Sequence, residues 1–145
     1  MKLHGFFVAA ACLALAADKS KDNVVKAELE KLQGTWQLIS AETDGKKLPE
    51  ETVKKIRVVI KGNKHTVHFG DKVVAKQIPF TLDPTKKPKT TDDTLPDGKQ
   101  IFGIYELKGD ILKSCVAGIG KNRPKKFAAA QGSGHTLRVF KRLKQ

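Results

Sequence analysis

Gly34-Thr35-Trp36-Gln37-Leu38-Ile39-Ser40-Ala41 is where this chain changes its period. Upstream, over residues 23–33, Val24, Val25, Ala27, Leu29 and Leu32 recur at helical spacing, with Lys26, Glu28, Glu30 and Lys31 between them. Gly34 then ends that short helix, the usual role of a glycine past a helix C-terminus. From Thr35 onward Trp36, Leu38 and Ser40 alternate with Gln37, Ile39 and Ala41, the two-residue repeat of a half-buried strand.

The same period continues downstream. Asp44-Gly45 is a turn signal. Ile56, Val58 and Ile60 alternate up to Gly62-Asn63, and His65, Val67 and Phe69 up to Gly70-Asp71. Residues 74–82 follow, with Ile78, Phe80 and Leu82 in phase. Two runs, 101–107 and 111–117, meet across Lys108-Gly109-Asp110, and Leu137, Val139 and Leu143 mark the last strand. Residues 127–130 read as one more strand, returned by Gly132-Ser133-Gly134. About eight short strands at close spacing predict an all-β fold, an antiparallel barrel or sandwich behind a short N-terminal helix. The irregular stretch is 83–99, rich in Pro, Lys, Thr and Asp. It is long for a hairpin connection, so it packs as an ordered loop or holds a short strand.

Gly34-Thr35-Trp36 at the head of such a chain resembles the G-x-W signature that opens the lipocalin barrel. A fuller series also occurs in order: Leu32-Gln33-Gly34-Thr35-Trp36, Asp44-Gly45, Leu82-Asp83-Pro84-Thr85-Lys86-Lys87-Pro88-Lys89, Gly103-Ile104-Tyr105-Glu106-Leu107, Leu112-Lys113-Ser114-Cys115 and Arg123-Pro124-x-x-Phe127. Together these resemble a family of small uncharacterised lipocalin-like domains of planctomycete bacteria. Thr91 departs from the aliphatic residue usual before Asp92. The resemblance implies a lipocalin-like β-barrel over residues 18–145 and supplies no activity. It also implies that Trp36 closes one barrel end under an arginine of the last strand, Arg138 or Arg142.

Residues 1–17 read as a secretory signal peptide. Lys2 is the basic start, a short apolar stretch follows, and Ala14-Leu15-Ala16-Ala17 gives the small-residue cleavage pattern. The expectation is export to the periplasm or the extracellular space. Cys12, preceded by Ala9-Ala10-Ala11, offers lipidation as a minor route, although the usual Leu three positions earlier is missing. The formal charge of +13 becomes +12 once Lys2, the only charged residue of 1–17, is set aside. So basic a chain suits an anionic polymer or membrane surface. Export argues against nucleic acid. So does the scarcity of Arg, found only at 57, 123, 138 and 142, because Arg supplies the fork that reads phosphates and bases.

Few residues suggest chemistry. Cys115 stands in phase with Ile111 and Ala117 and reads as a small buried hydrophobe rather than a nucleophile. His65 and His68 are three apart in a strand, so their rings diverge and no metal site is expected. Asp83, Asp92, Asp93 and Glu106 could include a general-acid pair, but sequence alone brings no two together. Asp83-Pro84 reads first as a turn initiator and Asp92-Asp93 as solvated loop, with ligand binding by an ordered 83–93 loop at the barrel mouth as the alternative. Lys121, Arg123, Lys125 and Lys126, joined by Lys86, Lys87 and Lys89, form a candidate anion-binding rim. Arg123 is singled out by its Pro neighbour, which extends the local backbone. Gly34, Trp36, Asp83, Tyr105, Cys115, Arg138 and Arg142 are read as structural, with Trp36, Phe69, Phe80, Tyr105 and Phe140 filling the barrel where in phase. No catalytic set and no cofactor motif is present. The expected function is non-catalytic binding, of a small apolar ligand in the barrel or of an anionic surface at its rim. The alternative is an envelope interaction module without a cavity, and an enzyme ranks third.

Overall fold

The computed structural model describes residues 9–144, with side chains from Lys19 onward, so the cleavage and lipidation expectations for residues 1–17 and Cys12 rest on side chains outside those described. Helix α1 (Ala9–Leu32) leads into β1 (Gly34–Thr43), so it extends further upstream than the helix read at 23–33. A two-residue strand β2 (Lys46–Lys47) and a single turn α2 (Glu50–Val53) follow. Then come β3 (Ile56–Lys61), β4 (Lys64–Phe69), β5 (Lys72–Asp83), β6 (Lys89–Thr94), β7 (Gln100–Lys108), β8 (Ile111–Ala117) and β9 (His135–Arg142). Each strand from β3 to β9 pairs antiparallel with the next, β1 pairs with both β3 and β9, and β2 is a ribbon on β1 alone. The result is a closed eight-stranded barrel, which leaves no open sheet edge.

Up-and-down connectivity fixes which loops share an end. The turns at 62–63, 84–88 and 109–110 emerge beside α1, whereas 70–71, 95–99 and 118–134 emerge at the opposite end. The core gathers Leu32 of α1 with Trp36, Leu38, Ala41, Val53, Ile60, Phe80, Tyr105, Leu112 and Phe140. At Gly103 a Cβ would stand 2.9 Å from Val116 Cγ1 and 3.2 Å from Thr91 Cγ2, so only glycine lets β6, β7 and β8 approach this closely.

The eight barrel strands include the short strand left open as an alternative within 83–99 and omit one that was expected. Residues 127–130 form no strand. The strand within 83–99 is β6. Its Lys-Thr-Thr-Asp-Asp-Thr run has no apolar alternation because Thr91 and Asp93 face the lumen while Asp92 pairs outside with Arg123. Phase is also displaced in three places. A bulge between Leu38 and Ser40 leaves Ile39 and Ser40 exposed and turns Ala41 into the core. In β8 the lumen side is Leu112, Ser114 and Val116, and in β9 it is Arg138 and Phe140. Ile111, Cys115, Ala117, Leu137 and Val139 therefore lie on the outer wall. Part of that wall is roofed by 118–134, whose Pro124 and Ala129 are buried. Phe69, expected inside, ends β4 at the rim and is exposed.

Candidate functional site: the barrel lumen

The α1 end is sealed by paired side chains. Trp36 is fully buried, and its indole Nε1 donates to Leu32 O at 2.9 Å. Arg142 lies over the indole, Cζ 4.2 Å from the ring centroid, while its Nη1 and Nη2 donate to Gln33 O and Lys31 O and its Nε to Asp110 at 3.1 Å. Arg142 is thus the arginine on Trp36, and the close of β9 is stapled to the end of α1. Beside it, Glu28 is buried. Its Oε1 accepts from Lys89 Nζ at 2.7 Å and from Tyr105 Oη at 3.1 Å. Burial, reinforced by the Glu28 carboxylate, pushes the Tyr105 hydroxyl well above its ordinary range and keeps it a donor.

Past this seal a cavity of about 90 Å³ opens along the lumen. Val58, Ile60, Val67, Phe80, Leu112 and Phe140 make its wall apolar. Polar side chains interrupt that wall: Thr91 and Tyr105, and the four residues His65, Asp93, Ser114 and Arg138. His65 Nε2 meets Asp93 Oδ2 at 3.0 Å, and His65 Nδ1 is buried without a partner. Arg138 Nε donates to Ser114 Oγ at 3.2 Å, and its Cζ stands 5.7 Å from the Phe140 ring centroid. Arg138 forms no ion pair among the described residues. Burial lowers its pKa, and the nearby Asp93 carboxylate acts the other way. An apolar pocket with a few convergent polar groups is the usual form of a small-molecule site.

The candidate anion rim does not form. Lys86, Lys87 and Lys89 belong to the α1 end and Lys121, Arg123, Lys125 and Lys126 to the loop at the other. Lys89 is neutralised by Glu28. Arg123 is a clamp: Nη2 lies 2.6 Å from Asp92 Oδ1, and Nη1 donates to Thr91 O at 3.1 Å and Gly103 O at 2.7 Å. Its Cζ also sits 5.1 Å from the Phe102 ring centroid. The guanidinium that looked available pins the 118–134 loop to the outer wall. Lys86, Lys87, Lys125 and Lys126 remain exposed.

Asp83 acts as a turn initiator, its Oδ1 accepting from Thr85 N at 3.1 Å and Thr85 Oγ1 at 2.5 Å. Those bonds hold its carboxyl below the usual range. Cys115 is buried against the loop, Sγ donating to Ala128 O at 3.4 Å, and burial raises its thiol pKa. Among the described residues no group of three His, Cys, Asp or Glu is placed to hold a metal ion, and no helix is long and apolar enough to cross a membrane.

Sequence reasoning found Trp36, Tyr105 and Arg142 of the seal, read Lys89 as rim, did not single out Glu28, and missed the lumen quartet. Asp93 was read as loop, His65 was weighed only as a metal ligand, and Ser114 went unnoticed. Arg138 was noted only as a partner for Trp36. The available signal was the parity of β9, where two arginines alternate with Phe140. No known family and no curated protein matches the chain.

Proposed function

We propose that this protein is an exported, non-catalytic binding protein that takes a small, largely apolar ligand into its barrel. The observation that carries this reading is the apolar cavity beyond the Trp36 seal, interrupted by His65, Asp93, Ser114 and Arg138. An eight-stranded barrel is just wide enough either to be filled by its own side chains or to hold one small ligand. Phe80, Tyr105 and Phe140 fill one part, and the cavity is what they leave. The resemblance to lipocalin-like domains points the same way. Cleavage near Ala16 or Ala17 would leave Leu32 and Glu28, and with them the seal, on the mature chain.

The test is native mass spectrometry on protein purified from its own host, followed by NMR titration with small apolar probes such as benzene. A co-purified small molecule, or shifts confined to Val58, Val67, Leu112 and their neighbours, supports the reading. No adduct and no shifts would refute it. N-terminal sequencing of secreted material checks the export reading, which an intact Met1 would overturn.

A second reading is an envelope interaction module. It draws on the β4–β5 hairpin, where Phe69, Val73 and Val74 are exposed beside Lys55 and Lys72. Exchanging Val73 and Val74 for Ser would abolish pull-down of an envelope partner under this reading, and leave small-molecule binding intact under the first.

A further inference from the structure

Among the described residues Arg138 makes no ion pair, although the Asp93 carboxylate lies near enough to favour its charge. Arg138 projects from β9 into the cavity beside Phe140, and only its Nε is engaged, by Ser114. Asp93 is the acidic group on the same wall, and it is occupied by His65 at 3.0 Å. The two terminal nitrogens of the guanidinium therefore keep unused N–H donors in a mainly apolar surrounding. A half-buried charge left this way is costly, and an arriving anion removes much of that cost.

The geometry also selects the kind of anion. Ser114 holds one edge of the guanidinium and Phe140 flanks it, so its plane is fixed before any ligand arrives. A fixed guanidinium fork matches a planar carboxylate through two parallel N–H···O bonds. Val58, Val67, Phe80 and Leu112 offer hydrocarbon, and Thr91 and Tyr105 are the other polar members of the lining. The cavity of about 90 Å³ has room for several waters, at about 10–15 Å³ needed for each, and so suits a short tail; Asp93 repels a second acid group.

We propose that the lumen binds a short monocarboxylate with an apolar tail, its carboxylate on Nη1 and Nη2 of Arg138 and its tail against Val67 and Leu112. This rests on the lumen being a binding site and adds the ligand class.

The experiment is an NMR titration of the full-length mature protein at fixed ionic strength and neutral pH with butyrate and with 1-butanol, its uncharged counterpart. Butyrate should bind about 10- to 100-fold more tightly, the range supported by hydrogen bonds to a charged group. Arg138→Gln should remove that preference, bringing butyrate to the affinity of 1-butanol in the same variant. Arg138→Lys, which keeps the charge and loses the fork, should lose most of it. Folding of each variant is checked by Trp36 fluorescence. Should neither variant fold, the Arg138 side-chain resonances of the wild-type protein decide, since they must shift with butyrate. Equal binding of butyrate and butanol would overturn the carboxylate assignment and leave the lumen reading standing. Butyrate binding that ignores both variants, or leaves the Arg138 resonances unmoved, would overturn the role of Arg138. Absence of binding by butyrate, butanol and benzene alike would sink the lumen reading itself.

Discussion

The two halves of the barrel interior spend similar residues in opposite ways. At the α1 end an arginine, a lysine, a carboxylate, a tyrosine and an indole are joined to one another or to backbone carbonyls. Deeper in the lumen an arginine, a histidine, a carboxylate and a serine share a wall, yet Arg138 keeps free donors and His65 Nδ1 has no partner. Arg142 and Arg138 are four residues apart on the same face of β9; all three guanidinium nitrogens of Arg142 are engaged, and among the described residues only Nε of Arg138 is. Groups satisfied internally contribute to stability. Under the binding function proposed above, the groups left unsatisfied at the cavity are completed by a ligand.

If that contrast is right, the largest losses of stability come from the seal. Trp36→Ala removes a fully buried aromatic that contacts both α1 and β9, and should cost roughly 3–5 kcal/mol, a large part of a small domain's stability. Denaturant unfolding followed by circular dichroism checks it. In the wild-type chain, Trp36 emission should be blue-shifted and move red on unfolding. Water-like native emission would break the comparison at its first step.

Glu28→Ala comes next. It removes the acceptor shared by Lys89 and Tyr105 and should cost about 1–3 kcal/mol, with the Lys89 part reduced because that amine is partly solvated. The same site supplies a pH test. The Tyr105 hydroxyl is raised in the folded state, so its stabilising contribution is complete below the unfolded value of about 10 and lost as pH rises above it. Tyr105 is the only tyrosine. Its tyrosinate absorbance should therefore appear together with alkaline unfolding. Titration before the fold is lost would show the seal to be leaky.

Much of the seal was legible because its signals are local and chemically distinctive: a tryptophan after a helix-ending glycine, and arginines in the last strand. The lumen was not legible, for a different physical reason in each strand. Period-two reasoning assumes an apolar inside and a polar outside. In β8 and β9 the loop 118–134 supplies a second roof, so Cys115 and Leu137 are apolar on the outer wall while Ser114 and Arg138 face in. In β6 both faces are polar, one toward Arg123 and the other toward His65, and no hydrophobic alternation survives. The bulge at Ile39 hides the phase change within β1. The misreadings in β6, β8 and β9 fall where a polar residue faces the lumen or an apolar one is buried from outside, whereas Phe69 and Ile39 are apolar side chains left exposed at a strand end and a bulge.

Arg142→Lys should fall below Glu28→Ala. The lysine keeps a charge near Asp110 but cannot lie flat on the indole while bridging Gln33 O and Lys31 O. Guanidinium stacking of this kind is worth about 0.5–2 kcal/mol, so a midpoint shift of that size in chemical denaturation is expected. No shift would mean that the stack is incidental and that Leu32 and Trp36 hold the end alone.

The smallest effect on stability, and the sharpest contrast, is at Arg138. Met has similar reach, suits irregular apolar space and leaves only Ser114 Oγ to be rehydrated. Replacing a buried charge by an apolar residue of comparable volume is often neutral or stabilising. Arg138→Met should therefore lie within about 1 kcal/mol of wild type, on either side of zero, while Arg142→Met loses the stack and both carbonyl bonds. The two substitutions are chemically identical and made on one face of one strand, so strand propensity and side-chain entropy largely cancel between them. What remains is whether the guanidinium was already satisfied by the protein. A loss at Arg138 as large as that at Arg142 would mean that Arg138 is structural and that the lumen holds no vacancy for an anion. A neutral Arg138→Met that no longer distinguishes butyrate from butanol would separate the two ends of the barrel as the geometry does.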